Sequence, residues 1–281
     1  MPKKLEETRL GFVGAGQMCE AILAGALAAG AILPKNVTIT DIAPARLEHM
    51  AKTYGVHTLP NSAKGEGTAA VAAGCEVVLL CLKPQLAAEA LRQSAAAFGE
   101  GTLIISIMGG VTLATLAALL PQSPIIRVMP NTPMLVGAGT AGIAPGDTAT
   151  NAHVALCCAL FDAVGHSHIL PEKLIDPLTA VSGCGPAFAC LFMEALADGG
   201  VEQGLPRTLA LQLAAEMLEG TARMVLQTGQ SPAALKDAVC SPGGGTIAGV
   251  HALEDGAFRA SVLNAVQKAA ARMEELGHSA S

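Results

Sequence analysis

The 281-residue sequence predicts an α/β chain, with a doubly wound parallel sheet over residues 1–168 and an all-helical domain over residues 169–281. Three observations carry this expectation. Arg9-Leu10-Gly11-Phe12-Val13 is a short apolar strand that runs into the glycine turn Gly14-Ala15-Gly16 and then a helix opening at Gln17-Met18-Cys19. Apolar strands and amphipathic helices then alternate as far as Met129, the order that lays strands side by side in parallel with helices over both faces. From about Lys173 the strand patterns all but vanish and the composition turns to Ala, Leu and Met.

Gly14 permits a tight turn and Gly16 lets the backbone approach a pyrophosphate, while Gln17 and Met18 offer the unpaired amides of a helix start to that anion. This is the Rossmann-type arrangement for a dinucleotide. Cys19 takes the third small position of the motif, which loosens the match. The second strand, Val37-Thr38-Ile39-Thr40, ends on Asp41, where a carboxylate would bond adenosine ribose hydroxyls. A solvated Asp opening the turn before Ala43-Pro44 is the alternative.

A helix is expected from Ala43 to Tyr54 with Leu47 and Met50 on one face, then a turn around Pro60-Asn61 and a short helix through Val71. The strongest strand pattern, Glu76 to Leu82, stops at Lys83-Pro84-Gln85, with Pro84 suited to the first position of the next helix. Leu103 to Ile107 and Ile125 to Met129 read as further strands, separated by a Gly109-Gly110 turn and a helix from Thr112 to Leu120. In a parallel sheet the ligand crevice lies beyond the carboxyl ends of the strands. Gly14, Asp41, Lys83, Gly109 and Asn131 each follow a predicted strand, so one crevice could take them all. For Lys83 and Asn131 a plain turn role stands as the alternative.

A net charge of −6 without any cluster of Lys and Arg argues against a nucleic-acid surface, and one Tyr with no Trp leaves no stacking platform. An apolar fraction of 51% raises the question of a membrane, and residues 101–126 carry no charge. Gly109-Gly110, Pro121 and Pro124 break that run, so it reads as a buried βαβ unit rather than a span. Met1-Pro2-Lys3-Lys4-Leu5-Glu6-Glu7 lacks the layout of a signal peptide, and a cytoplasmic protein without membrane or nucleic-acid partners is expected. The eight cysteines show no C-x-x-C pair and no His at ligand spacing; neither disulfides nor a metal are expected.

In the helical half, Leu174 to Gln203 would be one long helix but for Gly183-Cys184-Gly185-Pro186, where proline removes a donor and breaks the ladder. Pro177 to Met193 has no charge, and a helix apolar on most faces must be covered on most faces. In a domain of this size that cover has to come from a partner chain, so a homodimer with an apolar interface is expected. Pro206 to Gln227, Pro232 to Val239, Thr246 to Glu254 and Phe258 to Leu276 supply further helices.

Val239-Cys240-Ser241-Pro242-Gly243-Gly244-Gly245-Thr246 is a glycine run that opens onto a helix. Such a run makes a nest of backbone amides suited to a carboxylate, with Ser241 and Thr246 adding hydroxyls; a flexible linker is the other reading.

Taken together, Gly14-Ala15-Gly16-Gln17-Met18, Leu82-Lys83-Pro84-Gln85, Ser106-Ile107-Met108-Gly109-Gly110-Val111, Arg127-Val128-Met129-Pro130-Asn131-Thr132-Pro133, the Thr179 to Ala187 segment and Asp237 to Gly244 resemble the pyrroline-5-carboxylate reductases, in order and over nearly the whole chain. The resemblance implies hydride delivery from NADPH or NADH to the cyclic imine of 1-pyrroline-5-carboxylate, giving L-proline in the last step of its synthesis. It implies that the amides of Gly244, Gly245 and Thr246 and the Ser241 hydroxyl bind the substrate carboxylate. The Thr246 hydroxyl would then meet the ring nitrogen as the one catalytic side chain, with the Val239 carbonyl nearby. Asn61 and the Lys83-Pro84 turn match cofactor-contacting positions. The family also implies dimers through the helical domain and, in many members, a decamer of five dimers.

Departures from the family pattern are Phe188 where many members have Tyr, and Cys184 and Cys240 where Ser or Thr is usual. Asp41 favours NADH by repelling the extra phosphate of NADPH, whereas Arg46, one helical turn on, is placed to meet that phosphate. Other readings are a related two-domain imine or β-hydroxyacid dehydrogenase and a cofactor sensor without turnover. The first would put a Lys in the first long helix of the helical domain, and Thr179 to Gly199 holds none. The second gives the Ser241 to Thr246 loop no role.

Overall fold

A computed structural model describes residues 4–279 of the chain. The first three residues of the N-terminal stretch tested for a signal peptide lie outside the described residues. The chain divides into two compact units, one formed by Met1–Gly183 with Ala269–Ser281 and the other by Cys184–Lys268.

The first unit is built on one eight-stranded sheet: β1 Leu10–Val13, β2 Val37–Asp41, β3 His57–Pro60, β4 Val77–Leu80, β5 Leu103–Ser106, β6 Ile125–Met129, β7 Gly139–Pro145 and β8 Gly165–Ile169, in the order β3-β2-β1-β4-β5-β6-β7-β8. Between them run α1 Gln17–Ala28, α2 Pro44–Tyr54, α3 Glu66–Gly74, α4 Pro84–Arg92, α5 Leu113–Leu119 and α6 Asn151–Asp162. Successive side chains on a strand point to opposite faces, and the core follows that alternation. Leu10, Phe12, Val77, Leu79, Leu103 and Ile105 join α1, α2 and α6 in one buried cluster, while Val13, Val78, Leu80 and Ile104 join α3, α4 and α5 in another. Strands covered on both faces need apolar residues at every position, which is why β1 and β4 read as unbroken hydrophobic runs. Gly11 is the exception, because a methyl group there would collide with Val71 of α3.

The sheet departs from the expected purely parallel form at β7, which runs antiparallel to β6 with Val128 opposite Ile143. Four further elements replace turns or unassigned chain. β3 stands where a turn at Pro60-Asn61 was expected; its His-Thr-Leu-Pro sequence is exposed or half-buried on the sheet edge, where proline costs no ladder bond. β7 and β8 are rich in Gly, Ala, Thr and His, so neither shows an apolar alternation. α6 starts at Thr150, whose hydroxyl accepts from the His153 amide in a capping box.

The expected break at Gly183 to Pro186 is present: Cys184 stands between two helical stretches as the N-cap of a new helix, with Pro186 in its first turn. α7 Ile175–Leu178 leads into a wide turn over Thr179–Gly183, and α8 Gly185–Glu202 starts afresh beyond Cys184. Pro186 has no N–H for the Ser182 carbonyl, and the Asn131 side-chain amide donates to that carbonyl instead, at 3.0 Å. A buried arginine ties the same stretch down: Arg127 of β6 pairs with Glu172 at 3.1 Å and Asp176 at 3.2 Å.

The second unit contains α8, α9 Arg207–Thr228, α10 Pro232–Ala238, α11 Gly245–Asp255 and the first half of α12 Phe258–Ser279. Its buried residues, among the described ones, are the three alanines Ala197, Ala210 and Ala214. Leu191, Leu209, Leu213, Met217 and Leu263 are exposed, and Phe188, Leu191, Phe192, Leu253, Phe258 and Val262 line an apolar groove of about 400 Å³. Glu172–Glu202 is long and apolar enough to cross a bilayer by length and composition. The helix expected to be buried is therefore exposed in a single chain, as a face that needs a second chain to cover it would be.

Candidate active site

The carboxyl ends of β1, β2, β4, β5 and β6 share one edge of the sheet, because these strands are mutually parallel. Gly14, Asp41, Lys83, Gly109 and Asn131 follow them on that edge. Gly14 has a φ of 100°, and a side chain there would come within 2.6 Å of the Cys81 carbonyl oxygen, so only glycine serves. Its N–H donates to the Thr40 carbonyl at 2.8 Å and ties the turn to β2. Gly16 caps α1 with nothing within 4 Å of where a Cβ would stand. Among the described residues no side chain caps α1, which leaves the first-turn amides of Gln17 and Met18 without a side-chain partner beside that open space. The cradle therefore fits a dinucleotide pyrophosphate, on the strength of open backbone and orphaned donors.

Asp41 is fixed in place by two backbone donors. Its Oδ2 accepts from Ala15 N at 2.6 Å and its Oδ1 from Ala43 N at 2.8 Å, so the carboxylate braces the glycine turn against the start of α2. Arg46 of α2 donates from Nε to the Ala15 carbonyl at 2.8 Å and from Nη2 to Glu20 Oε2 at 2.5 Å. The other oxygen of Glu20 meets His49 Nε2 at 2.6 Å and accepts from Tyr54 OH at 3.0 Å. The Arg46 guanidinium first, then His49, holds the Glu20 carboxyl down at about 2, well below its ordinary range. Glu20 has no signature in the linear spacing, because nothing there tells that the first turns of α1 and α2 meet.

Asn61 is engaged with its own chain. Its Oδ1 accepts from Gly67 N at 3.1 Å and its Nδ2 donates to Thr68 Oγ1 at 3.0 Å, capping α3, while its backbone N–H bonds the Asp41 carbonyl. Lys83 is the exposed N-cap of α4, with Pro84 at the first helical position as expected. Gly109 is half-buried after β5. Asn131 lies on the same edge, yet both ends of its amide are engaged, accepting from Thr140 N at 2.7 Å and donating to Ser182.

On the second unit, the glycine run forms a helix start rather than a loose linker. Gly243 has a φ of 69°, and Gly244, whose N–H donates to the Ser241 carbonyl at 3.0 Å, is the N-cap of α11. Among the described residues no side chain caps this helix either, which leaves the amides of Gly245 and Thr246 open to an anion. Ser241 and Thr246 are exposed at the mouth of this nest, and Val239, 59% exposed, precedes it. Cys240 is half-buried beside it with its thiol free.

Comparison with known proteins identifies the family. A family described as pyrroline-5-carboxylate reductase dimerisation matches residues 172–276, and one described as NADP oxidoreductase, coenzyme F420-dependent, matches residues 9–110. The pyrroline-5-carboxylate reductase of Synechocystis is 42% identical over 96% of this chain and 98% of its own length. That of Arabidopsis thaliana is 40% identical over 99% of each chain. Among solved structures, the pyrroline carboxylate reductase of Plasmodium falciparum with NADP bound superposes with a TM-score of 0.87, at 32% identity over 97% of this chain and 99% of its own. On these grounds the chain belongs to the pyrroline-5-carboxylate reductase family of NAD(P)-dependent oxidoreductases, and its helical region carries that family's dimerisation domain.

Proposed function

We propose that this chain reduces the imine of 1-pyrroline-5-carboxylate to L-proline with NADH or NADPH, using a coenzyme domain over residues 1–168 and a substrate and dimerisation domain over residues 169–281. The observation that carries the reading is the second uncapped helix start at Gly244: a coenzyme-binding chain with another anion nest has a place for a substrate carboxylate. When bound, the reduced nicotinamide supplies the hydride. The chain's part is to hold and align the partners. Gly14, Gly16, Gln17 and Met18 cradle the pyrophosphate, Asp41 meets the adenosine ribose, and the Asn61, Lys83, Pro84 and Gly109 turns border the same crevice. The amides of Gly244, Gly245 and Thr246 with the Ser241 hydroxyl take the carboxylate. The Thr246 hydroxyl and the Val239 carbonyl meet the ring nitrogen.

An iminium carbon is already electrophilic, so orientation does most of what acid catalysis would otherwise do. The iminium nitrogen already carries its proton, so hydride addition to the carbon completes the amine and no side chain has to deliver a proton to nitrogen. Two chains pair through the exposed helical faces, five such dimers form a decamer, and the enzyme works in the cytoplasm.

The experiment is proline-dependent reduction of NAD and NADP at alkaline pH, wild type against Thr246→Ala. A hydrogen bond to a charged group contributes about 1.5–3 kcal/mol, so the variant loses about 10- to 100-fold in kcat/KM with proline. Wild-type protein that binds NADH and shows no reaction with proline or its imine would rule the proposal out.

A further inference from the structure

We infer that this chain selects NADH over NADPH, and that Glu20 is the positioning residue that enforces the choice by withholding the Arg46 guanidinium from a ribose phosphate. The inference rests on the reading that the glycine crevice binds the coenzyme, and it deepens that reading at its adenosine end. In a Rossmann-type domain the carboxylate closing the second strand faces the ribose 2′-hydroxyl, and a nearby arginine is what accommodates a 2′-phosphate. Both groups are present here, and their bonds decide between them.

Asp41 cannot turn aside to admit a phosphate, because each of its oxygens is held by a backbone amide, Ala15 on one side and Ala43 on the other. Moving it would release the glycine turn itself. Arg46 is the cation nearest in sequence, and two of its donors are already committed, Nε to the Ala15 carbonyl and Nη2 to Glu20. The Glu20 carboxylate is itself fixed by His49 and Tyr54 from further along α2, so it does not yield Arg46 to a passing anion. Its depressed pKa keeps it charged through the physiological range. The pair is only partly exposed, 36% for Arg46 and 21% for Glu20, so solvent does not fully screen it. With Asp41 and Glu20 each carrying a negative charge against one positive charge on Arg46, the cluster favours the neutral ribose hydroxyl over a phosphate dianion. Family members can differ here, as the Plasmodium falciparum relative was solved with NADP.

The test is calorimetric titration of NADH and NADPH into the full-length protein, which reads binding without turnover. Wild type should bind NADH about tenfold more tightly than NADPH or better, about 1.4 kcal/mol. Glu20→Gln should tighten NADPH about tenfold and leave NADH within about twofold, and adding Arg46→Met to that variant should abolish the gain. A tie that merely joined α1 to α2 would instead weaken both coenzymes together, and that outcome overturns the inference, as does wild-type preference for NADPH. If Glu20→Gln fails to fold, Tyr54→Phe together with His49→Leu, which releases the other oxygen of Glu20, carries the test: NADPH binding must improve relative to NADH, and an unchanged ratio counts against the assignment. Failure of imine reduction with the NADH preference intact would remove the proposed reaction and leave coenzyme selection standing; the converse separates them the other way.

Discussion

At the scale of single residues, the site depends on positions where only one side chain, or none, is sterically allowed. Gly14 carries a positive φ, and a Cβ added there would lie 2.6 Å from the Cys81 carbonyl oxygen, so Gly14→Ala meets both backbone strain and a collision. Strain of the first kind costs about 1–2 kcal/mol, and the collision adds to it. The variant should lose at least about tenfold in NADH affinity by titration while circular dichroism still reports a folded sheet. The sequence showed this glycine and Gly16 plainly, because a strand, a tight turn and a helix start leave a local signature. Glu20 and the engaged amide of Asn131 left none, since their partners, Arg46 and His49 in one case and Thr140 and Ser182 in the other, are adjacent only after folding.

Among elements, the informative case is the passage from α7 into α8. Proline in the middle of a helix predicts an interruption, and the ladder does break at Cys184, where Asn131 takes up the Ser182 carbonyl that Pro186 leaves without a donor. The carbonyl is short of one bond, and a side chain 51 positions away in sequence supplies it. Asn131→Ala should therefore cost about 1–3 kcal/mol, the penalty for a buried polar group left unsatisfied, read as a lower urea midpoint with an unchanged slope. Asn131→Asp, which keeps the acceptor for Thr140 N and loses the donor, should share most of that loss; full stability in both variants would show that water replaces the amide. Local pattern was sufficient for β1, β4 and β5, whose apolar runs announce burial on both faces, for β6, whose run is broken only by Arg127, and for β2, whose valine and isoleucine alternate with threonine. It was insufficient for β3, β7 and β8, edge or late strands whose Gly, Thr, His and Pro residues resemble loop composition until the sheet beside them is known.

For the whole molecule, the two units differ in how they are stabilised. The sheet unit has fully buried leucines, isoleucines and phenylalanines on both faces, whereas the helical unit buries alanines and leaves Leu191, Leu209, Leu213 and Leu263 in the open. Each such side chain gains roughly 1.5–3 kcal/mol when it is covered, which gives a second chain a strong reason to bind. Leu191→Asp, at a position 67% exposed in the single chain, should then shift the protein from its oligomer toward the monomer in multi-angle light scattering. An unchanged oligomeric mass would place the interface on another face. This much followed from a charge-free helix in the sequence, because uncovered apolar area is a matter of composition; which residues face outward needed the packing of α8 on α9.

The most direct test of the account is to mix wild-type protein with 1-pyrroline-5-carboxylate and NADH and follow both coenzyme and product. Oxidation of NADH matched mole for mole by L-proline is the predicted result. NADH that binds and stays reduced, with the imine unconsumed under either coenzyme, would contradict it.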